Sequence, residues 1–405
     1  MTHEKPDPGL LSACAAKALD GGALTAGEAL CLYRGLDQPS LGMLADAVRR
    51  RMHPAGADGK LRVTYIVDRN INPTNACVTR CGFCAFYRDP GHEEAYVLPR
   101  ETIYAKIEEL IAAGGIQLLL QGGHHPYLRT DFFASLFSDI KQRYPSIWIH
   151  GMSPPEIHHL SRIEKRPVVD VLRDLKGAGL DSIPGGGAEI LVERVRRIVA
   201  PKKATTEEWL DVFRQWASLG GKGTATMMFG HVETDEERIE HMMRIRGLQD
   251  ECSVFTAFIP WTFQPENTRM GREMLEPRGG RKAVAAEYLR TLSLSRLFLQ
   301  NVPHIQSSYV TQGLKTAQVG LAMGADDLGS AMLEENVVSS AGCSHPTSIS
   351  EMERHIKDAG FVPQRRNMLY EPVETPPTDR FGEPIGARKA VVSEISSGAA
   401  SEAGS

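Results

Sequence analysis

The stretch Cys77-Val-Thr-Arg-Cys81-Gly-Phe-Cys84 brings three cysteines into eight residues, with the spacing C-x3-C-x2-C. Thiolates are the soft ligands that hold iron–sulfur clusters, and a four-iron cluster normally takes four of them. No fourth cysteine lies nearby in the sequence. Three cysteines would leave one iron without a protein ligand, so a small molecule could bind there. The spacing therefore predicts a [4Fe–4S] cluster with one open iron, held by Cys77, Cys81 and Cys84.

A zinc site or a hydrophobic core would also account for these three cysteines. A structural zinc site would take His92 as fourth ligand, although the ligands of such sites usually come as two short pairs separated by a longer loop. Three unrelated cysteines could also lie in a hydrophobic core, since free cysteine is commonly buried. The crowding of three sulfurs into one loop favours the cluster over both.

The four remaining cysteines are scattered along the chain and form no disulfide-like framework. An odd total of seven cysteines suits a reducing compartment, so we expect a cytoplasmic protein. The sequence shows no apolar run of membrane-spanning length and no signal-peptide layout at Met1–Gly21. Its net charge is −4. Neither nucleic acid nor a membrane surface is therefore predicted as a partner.

From about Val63 onward, short apolar runs alternate with helical patterns. Eight such runs predict strands, at Val63–Val67, Ile116–Leu120, Ile147–Ile149, Leu180–Ile183, Thr224–Phe229, Val254–Ile259, His304–Ser307 and Gly324–Leu328. Eight strands alternating with helices are typical of an α/β protein with a (β/α)8 TIM-type barrel. An open doubly wound sheet and a partial barrel of six strands are the alternatives, but the even spacing favours the closed barrel.

The same patterns predict how the chain is organised. Helices are predicted at Glu101–Ala113, Asp131–Arg143, Val168–Ala178, Thr206–Leu219, Asp235–Gly247, Lys282–Leu299, Gly313–Met323 and Ser350–Gly360. Residues 1–60 read as an N-terminal helical segment, with a capping-box pattern at Thr25-Ala-Gly-Glu28 and a break at Gln38–Pro39. The barrel is expected over 61–330 and a C-terminal helical extension over 331–370. Residues 371–405, rich in Pro, Gly, Ser and Ala, predict a disordered tail.

Unusual loops follow the predicted strands. The cluster loop follows the first strand, and the next five strands are followed by Gln121–Pro126, Gly151–Glu156, Pro184–Glu189, Phe229–Thr234 and Pro260–Pro265. Active sites of such barrels lie at the carboxyl ends of the strands. We therefore expect all six loops to lie at one end of the barrel, around one site.

Several stretches together resemble a known family. The stretch Asn70–Arg88 is similar to the cluster segment of the radical S-adenosylmethionine (SAM) enzymes of the futalosine and deazaflavin pathways. Within that group the chain resembles the cyclic dehypoxanthinyl futalosine synthases, over Gln121–Pro126, Ser182–Leu191, Thr224–Gly230 and Phe255–Pro265. The resemblance runs from about Arg62 to Tyr370. It departs from the family pattern at Pro73, His124 and Cys252-Ser253, none of which removes a cluster ligand.

The resemblance implies that SAM binds the open iron and that residues in the strand-end loops hold it. In such barrels the loop after the second strand binds the SAM amino group through backbone oxygens, which points to Gly122 and Gly123, unless these only form a tight turn. Phe83 fits the aromatic residue beside the SAM adenine, or it packs the cluster loop. Ser153 could reach the SAM ribose, or it forms a turn ahead of a proline.

Charged residues extend this implied site. Glu189 could accept hydrogen bonds from ribose hydroxyls or from the SAM ammonium group, or it could be a first-turn acid on a predicted helix Ala188–Val199. Arg194 or Arg196 could pair with the SAM carboxylate, because arginine suits bidentate carboxylate recognition. Our choice is Arg194, and a solvated arginine face is the alternative.

Two further groups could face the substrate. His124 and His125 are adjacent, so in extended backbone they point in opposite directions and only one can face the cavity. We take His125 as a candidate catalytic residue for proton transfer, and a histidine that only bonds a neighbouring loop as the alternative. The aromatic loop Trp261–Gln264 could stack on a flat substrate and read its polar edge, or it could pack as a lid.

The activity that the resemblance implies is a cyclisation in menaquinone biosynthesis. A 5′-deoxyadenosyl radical from SAM would abstract hydrogen from the ribose C4′ of dehypoxanthine futalosine. The carbon radical would attack the benzoate ring, and loss of an electron and a proton would restore aromaticity. The implied partners are this small nucleoside and a reducing electron donor of flavodoxin or ferredoxin type. The alternatives are a sister enzyme, such as aminofutalosine synthase or an FO synthase subunit, and a non-catalytic iron–sulfur or zinc protein.

Overall fold

The computed structural model describes residues 7–274 and 282–374. Within them the strands are β1 Arg62–Ile66, β2 Asp68–Ile71, β3 Gln117–Leu120, β4 Trp148–Gly151, β5 Ser182–Ile183, β6 Lys222–Phe229, β7 Phe255–Thr262, β8 His304–Ile305, β9 Asp327–Ser330 and β10 Val362–Arg365. The helices before the fifth strand are α1 Pro8–Leu19, α2 Ala26–Gly35, α3 Gln38–Met52, α4 Arg100–Ala112, α5 Thr130–Arg143, α6 Pro154–Glu164 and α7 Val168–Gly177. Those after it are α8 Glu193–Val199, α9 Thr206–Ser218, α10 Asp235–Cys252, α11 Arg269–Met274, α12 Ala285–Phe298, α13 Tyr309–Leu321, α14 Val337–Ser340 and α15 Ile349–Asp358. Of the predicted disordered tail, residues 375–405 lie outside the described residues.

The three N-terminal helices begin at side-chain caps. The predicted capping box of α2 is confirmed, because the Thr25 hydroxyl accepts from the backbone N–H of Glu28 and the Glu28 carboxylate accepts from that of Thr25. Asp37 caps α3 by accepting from the N–H of Ser40 at 2.8 Å. Pro39 lies in the first turn of α3, where proline costs no hydrogen bond. The break between helices therefore comes before Gln38.

Parallel pairing of strands continues around the barrel. Strands β2 to β8 pair in sequence order. A single bridge between Gln306 and Asp327 joins the end of β8 to the start of β9, and β9 pairs with β1. Since only Val67 separates β1 from β2, the ring of strands closes on itself. The predicted eight-stranded α/β barrel is confirmed, and an open doubly wound sheet is excluded.

The first barrel strand is longer than the sequence predicts, and an additional strand pairs with it. The prediction ends it at Val67, but the pairing with β3 continues to Ile71. An additional parallel strand, β10, pairs with the first half of that strand from Arg62 to Tyr65. Beyond β10 the chain turns back, and the N–H of Val373 donates to the oxygen of Arg365. The C-terminal extension is therefore part of the sheet rather than a helical appendage alone.

A buried ion pair holds this closure. Arg366 lies directly after β10 and donates to both carboxylate oxygens of Asp327 in β9, at 2.6 and 3.0 Å. Both side chains are almost completely buried. The Arg366 guanidinium also lies over the ring of Tyr370, 3.8 Å from its centroid. In a medium that screens charge weakly, such a pair connects the last strand firmly to the barrel.

The loops predicted to carry the site lie at one end of the barrel, because every strand of the ring is parallel. One of them is not a loop throughout. The run Ser153-Pro-Pro-Glu156 opens helix α6, with both prolines in its first turn. This helix is absent from the sequence prediction, which took the two prolines as loop residues. Among the described residues, no helix is both long and apolar enough to cross a membrane.

Candidate active site

The three cysteines lie on one turn of the loop that follows β2. Cys77 and Cys81 are buried, with 8% and 7% of their surfaces exposed, and Cys84 is half-buried. The turn is tightened by a hydrogen bond from the N–H of Cys84 to the oxygen of Cys81. Burial raises the pKa of the Cys81 thiol to about 12, with a contribution from the other two cysteines, so the three thiols interact. A bound metal would be needed to hold them as thiolates.

The spacing of the three sulfurs argues against zinc. Zinc binds thiolates at about 2.3 Å in tetrahedral geometry, which places its sulfur ligands about 3.8 Å apart. In the described residues, the one group of three such ligand atoms within 4.8 Å of one another is His53, His304 and Asp326, at the opposite end of the barrel. The three cysteine sulfurs do not all lie within 4.8 Å of one another. His92 is exposed, and its Nδ1 accepts from the backbone N–H of Glu94.

The group at the opposite end is a hydrogen-bonded network around Asp326. One carboxylate oxygen of Asp326 accepts from the N–H of Ile305, and Arg296 donates to the same oxygen. The other oxygen lies 2.5 Å from Nδ1 of His304. His53 lies 2.9 Å through Nε2 from the oxygen of Pro303. The guanidinium of Arg296 already balances the charge of the Asp326 carboxylate, so no bound cation is needed to account for this network.

The loop after β3 is bound to the cluster loop through its backbone. The N–H of Gly123 donates to the oxygen of Thr74 at 2.8 Å, and the N–H of Val78 donates to the oxygen of His124 at 3.0 Å. A β-carbon on Gly123 would lie 2.3 Å from the oxygen of Ala76, which no other residue type could tolerate without displacement. Close approach between the two loops is therefore the reason that glycine stands here.

The two adjacent histidines have different surroundings, as their opposite directions predict. His124 is buried, its Nδ1 lies 2.7 Å from the hydroxyl of Thr79, and its ring stacks on that of His159. Burial lowers the pKa of His124 well below its usual value, and the positive charge of Lys203 contributes. His125 is half-buried, and its Nδ1 accepts from two backbone N–H groups of the following turn. His124, rather than His125, is therefore the one beside the cluster loop.

Ser153 and Gly122 are held by the same carboxylate. The Ser153 hydroxyl donates to Oε2 of Glu156 at 2.5 Å, and the N–H of Gly122 donates to Oε1 at 2.9 Å. Glu156 is buried, and burial raises the pKa of its carboxyl group. Ser153 is thus the N-cap of α6, and Glu156 connects the loops after β3 and β4. The pattern Ser-x-x-Glu is the signal in the sequence that could have identified this carboxylate.

Glu189 lies in a loop and not on a helix. Its φ of +44° is in the left-handed region, and helix α8 begins only at Glu193, so the alternative of a first-turn acid is wrong. Oε1 accepts from the ammonium of Lys203 at 3.0 Å, and the side chain is 4% exposed. Oε2 is buried without a hydrogen-bond partner among the described residues. A buried carboxylate oxygen left unpaired is costly, so this atom is a candidate acceptor for a hydrogen bond from a bound ligand.

Lys203 is a further residue of this site, besides Glu156, that the sequence analysis did not single out. Its side chain is 14% exposed and its ammonium lies 5.3 Å from the centroid of the Phe83 ring. Burial alone would lower the pKa of Lys203, but the carboxylate of Glu189 raises it above its usual value. No sequence pattern distinguishes this lysine from the exposed Lys202 beside it. Only the packing reveals it.

The two candidate arginines are engaged elsewhere. Arg194 is 51% exposed, donates to both carboxylate oxygens of Glu237, and is not brought together with the other predicted residues. Arg196 is buried, and it donates to the backbone oxygens of Ala188 and Ala204. It therefore braces the backbone of the glycine-rich loop, and its donors are used within the protein.

A cavity of about 390 Å³ opens at the same end of the barrel, beside β7. Its lining includes Thr262, Gln264, Lys282, Gln312 and His345. The amides of Gln264 and Gln312 both donate to the hydroxyl of Thr262, at 3.0 and 2.5 Å, so these polar groups are held in place.

The segment that follows β7 lines this cavity and, a few residues later, is hydrogen-bonded to the cluster loop. The N–H of Met270 donates to the oxygen of Gly82, which lies between two of the cysteines. Of the predicted aromatic loop, Phe263 is buried and packs edge-on against His231, whereas Trp261 is half-buried. Trp261 is thus the aromatic of this loop that keeps exposed surface.

Comparison with families of known proteins gives two matches. Residues 71–245 match the radical SAM superfamily. Residues 252–378 match a region described as the CofH/MqnC C-terminal region. Together the two matches cover the barrel from β2 onward and the C-terminal extension.

Several curated proteins are similar over most of the chain. A cyclic dehypoxanthine futalosine synthase from Streptomyces coelicolor is 44% identical over 94% of this chain and 92% of its own length. One from Halalkalibacterium halodurans is 43% identical over 89% of this chain and 94% of its own length. A 5-amino-6-(D-ribitylamino)uracil–L-tyrosine 4-hydroxyphenyl transferase from Methanosarcina acetivorans is 44% identical, over 77% of this chain and 83% of its own length.

A solved structure shares the fold. The crystal structure of methylornithine synthase has a TM-score of 0.67 to this chain, with 20% sequence identity, and covers 87% of this chain and 97% of its own. At this level of identity the likeness concerns the fold alone.

Proposed function

The chain belongs to the radical SAM superfamily, in the group that carries the CofH/MqnC C-terminal region, and we propose that it converts dehypoxanthine futalosine into its cyclic form. The observation that carries the choice of substrate is the identity and the extent of the similarity taken together. The cyclic dehypoxanthine futalosine synthases are 43–44% identical over 89–94% of the chain. The transferase of equal identity matches 77% of the chain, and an aminodeoxyfutalosine synthase from Thermus thermophilus that matches 91% is 38% identical. The place of the reaction would be menaquinone biosynthesis by the futalosine pathway.

Enzymes of this superfamily use a [4Fe–4S] cluster and SAM, and the residues present fit both. Cys77, Cys81 and Cys84 would each hold one iron, and their sulfurs do not all lie within 4.8 Å of one another. The unpaired Oε2 of Glu189 fits a ligand that donates hydrogen bonds, as the ammonium and ribose hydroxyls of SAM do. The bound pair supplies a carbon radical that removes a hydrogen atom from the substrate.

The protein's own part in SAM binding is to offer a preformed pocket. We assign Glu189 the role of hydrogen-bond acceptor, and Phe83 that of an apolar surface for the adenine. Gly122 and Gly123 offer backbone atoms close to the cluster loop. The hydroxyl of Ser153 and the N–H of Gly122 both donate to the carboxylate of Glu156, which holds Ser153 near these glycines. Because Arg194 is exposed and paired with Glu237, we leave it out of the proposed set.

The cavity beside β7 is the place that we propose for the nucleoside. Its polar lining suits the ribose hydroxyls of the nucleoside. Holding the substrate in one orientation and excluding water are the contributions expected of such a cavity.

Ring closure must also release one proton and one electron. Of the described residues that line the cavity, His345 carries an imidazole, a side chain that can serve as a general base, whereas Lys282 is engaged with Glu266. Nδ1 of His125, the candidate from the sequence, is occupied by backbone N–H groups. We therefore propose His345 as the proton acceptor in place of His125.

A one-electron donor of flavodoxin or ferredoxin type is the partner that we propose for reduction of the cluster. Three exposed cations lie on or next to the cluster turn, namely Arg80, Lys202 and Arg269. Arg80 and Arg269 also pair with Asp89 and Glu273. A carrier with an acidic docking face would be favoured by charge on this side. All seven cysteines are free thiols, which supports our proposal of a cytoplasmic location.

The test is a mass-spectrometric assay of the anaerobically reconstituted protein with dithionite, SAM and dehypoxanthine futalosine. A product lighter by two hydrogens, formed together with 5′-deoxyadenosine, is the expected result. If 5′-deoxyadenosine forms while the nucleoside stays intact, the proposed substrate is wrong. The precursors of aminofutalosine and of the deazaflavin chromophore would then be assayed in the same way.

A further inference from the structure

The cluster site has one buried cation whose role the cofactor assignments above leave unexplained. Lys203 lies in the short connection between α8 and α9, and its neighbour Lys202 is exposed. The N–H of Gly82 donates to the oxygen of Val199 at 2.9 Å, so the end of α8, just before this connection, is hydrogen-bonded to the cluster turn. The Lys203 ammonium lies over Phe83, the next residue of the same turn. The positive charge is therefore held against the peptide between Cys81 and Cys84.

The Lys203 ammonium has unused hydrogen-bond donors and lies among acidic groups. In the described residues it makes one hydrogen bond, to Glu189, although an ammonium has three N–H donors. Glu156 lies in the same part of the site, since its neighbour Pro155 and Lys203 both approach Gly187. Three metal-bound thiolates would bring further negative charge into this region. The buried Arg196 already donates to the backbone oxygens of Ala188 and Ala204, whereas Lys203 keeps two unused N–H donors beside the cluster turn. Lys203 is thus a cation placed to compensate the cluster.

We propose that Lys203 is a positioning residue for the cluster, whose charge makes the bound cluster easier to reduce. A positive charge fixed beside a cluster stabilises the added electron, and net charge is one of the determinants of cluster potentials. The carboxylate of Glu189 opposes this effect, so the two side chains together set the potential. The inference rests on the cluster that the superfamily carries and not on which nucleoside is converted.

The two residues predict shifts of opposite sign. Removing the ammonium in Lys203→Met should move the reduction potential of the cluster to a more negative value. Removing the opposing charge in Glu189→Gln, with Lys203 in place, should move it to a more positive value. Lys203→Arg keeps the charge and should stay near the wild-type potential. A general loosening of the fold cannot produce shifts in both directions.

The experiment is a redox titration of the anaerobically reconstituted protein, followed by the EPR signal of the reduced cluster, without SAM or nucleoside. Lys202→Met is the matched control, because it removes the same charge at an exposed position where solvent screens it. We expect the order Lys203→Met, wild type, Glu189→Gln from the most negative potential upward, with Lys202→Met at wild type.

Two results would overturn the proposal. One is a Lys203→Met protein with full iron content and an unchanged potential. The other is an equal shift in Lys202→Met, which would show that overall charge and not position matters. If Lys203→Met fails to assemble a cluster, the Glu189→Gln and Lys203→Arg titrations still decide, since an unchanged potential in Glu189→Gln contradicts the model of opposed charges. Failure of the nucleoside assay would leave these titrations unaffected.

Discussion

The backbone of Gly123 lies so close to Ala76 of the cluster loop that a β-carbon on Gly123 would be 2.3 Å from the Ala76 oxygen. Gly123→Ala must therefore push the two loops apart and break the bond from Gly123 to Thr74. We expect iron content after reconstitution to fall at least severalfold, with loss of a few kcal/mol of stability.

The control for this prediction is Gly247→Ala. Gly247 lies inside α10 with no atom within 4 Å of an added β-carbon. Alanine there should stabilise the protein by up to about 1 kcal/mol and leave iron content unchanged. Full iron loading of Gly123→Ala would show that the cluster loop tolerates the displacement.

Cys81→Ala should abolish both cluster assembly and the formation of 5′-deoxyadenosine, because two cysteines cannot hold a four-iron cluster. Iron and sulfide analysis, with the dithionite assay, measures this. The control, Cys252→Ala, changes a half-buried cysteine at the end of α10 and should keep both cluster assembly and the formation of 5′-deoxyadenosine. A Cys81→Ala protein that still produced 5′-deoxyadenosine would contradict the assignment of the cluster ligands.

His345→Gln should still cleave SAM when the nucleoside is bound, but it should form the cyclic product at least tenfold more slowly, because the proton has no acceptor. The measurement is the ratio of cyclic product to 5′-deoxyadenosine in the same reaction. His92→Gln, at an exposed histidine outside the cavity, is the control and should keep the wild-type ratio. If His125→Gln lowers the ratio and His345→Gln does not, the proton acceptor is assigned to the wrong histidine.

Arg366→Met leaves the carboxylate of Asp327 buried without its cation, and this should cost about 3–5 kcal/mol. Urea unfolding followed by circular dichroism measures the loss. Arg173→Met breaks a pair of similar length on the surface, where Arg173 is 62% exposed, and should cost no more than about 1 kcal/mol. Equal effects of the two substitutions would mean that the pair between Arg366 and Asp327 does not hold the barrel closed.

Asp68 gives a prediction for pH. It is buried in β2, where it accepts from Gln117 and Ser330, and burial raises its pKa from 3.8 to about 6. The folded protein therefore binds a proton that the unfolded chain has released between about pH 4 and 6. The stability contributed by this group falls as the pH rises through that window, by roughly 3 kcal/mol in total.

Asp68→Asn removes the ionisation. The variant should be more stable than wild type at pH 8, by up to the same amount, and the difference should disappear near pH 4. Unfolding in urea at both pH values measures this, with the exposed Asp170→Asn as control. A constant difference between Asp68→Asn and wild type across this range would show that Asp68 does not titrate there.

Much of the fold follows from local patterns, and what the patterns missed depends on the packing of distant segments. The eight barrel strands were predictable because each is a short apolar run between helices. Strand β10 was not, because Val362-Pro-Gln-Arg365 carries almost no apolar pattern and pairs with residues some 300 positions earlier. Helix α6 was missed because two prolines suggest a loop, although proline is well placed at a helix start.

The residues of the site likewise divide into those that the local sequence predicts and those that only the packing determines. The cluster ligands were predictable from spacing alone, since three adjacent thiols have few other uses. The role of Glu189 was only half predictable, because its positive φ and unpaired oxygen are tertiary properties. Lys203 could not be separated from Lys202, and the pairing of Arg194 in α8 with Glu237 has no signal in the local sequence. Side-chain direction is decided by neighbours that the local sequence does not contain.

The pairing of β1 with β9 and β10 has a consequence for synthesis on the ribosome. The strand that leads into the cysteines is made before its partners, which follow about 260 residues later in β9 and about 300 residues later in β10. At about 5–20 residues per second, the ring stays incomplete for about 12–50 seconds after the cysteines have been made. During that time the thiols are accessible to iron and to oxygen alike, so cluster delivery can precede closure of the barrel.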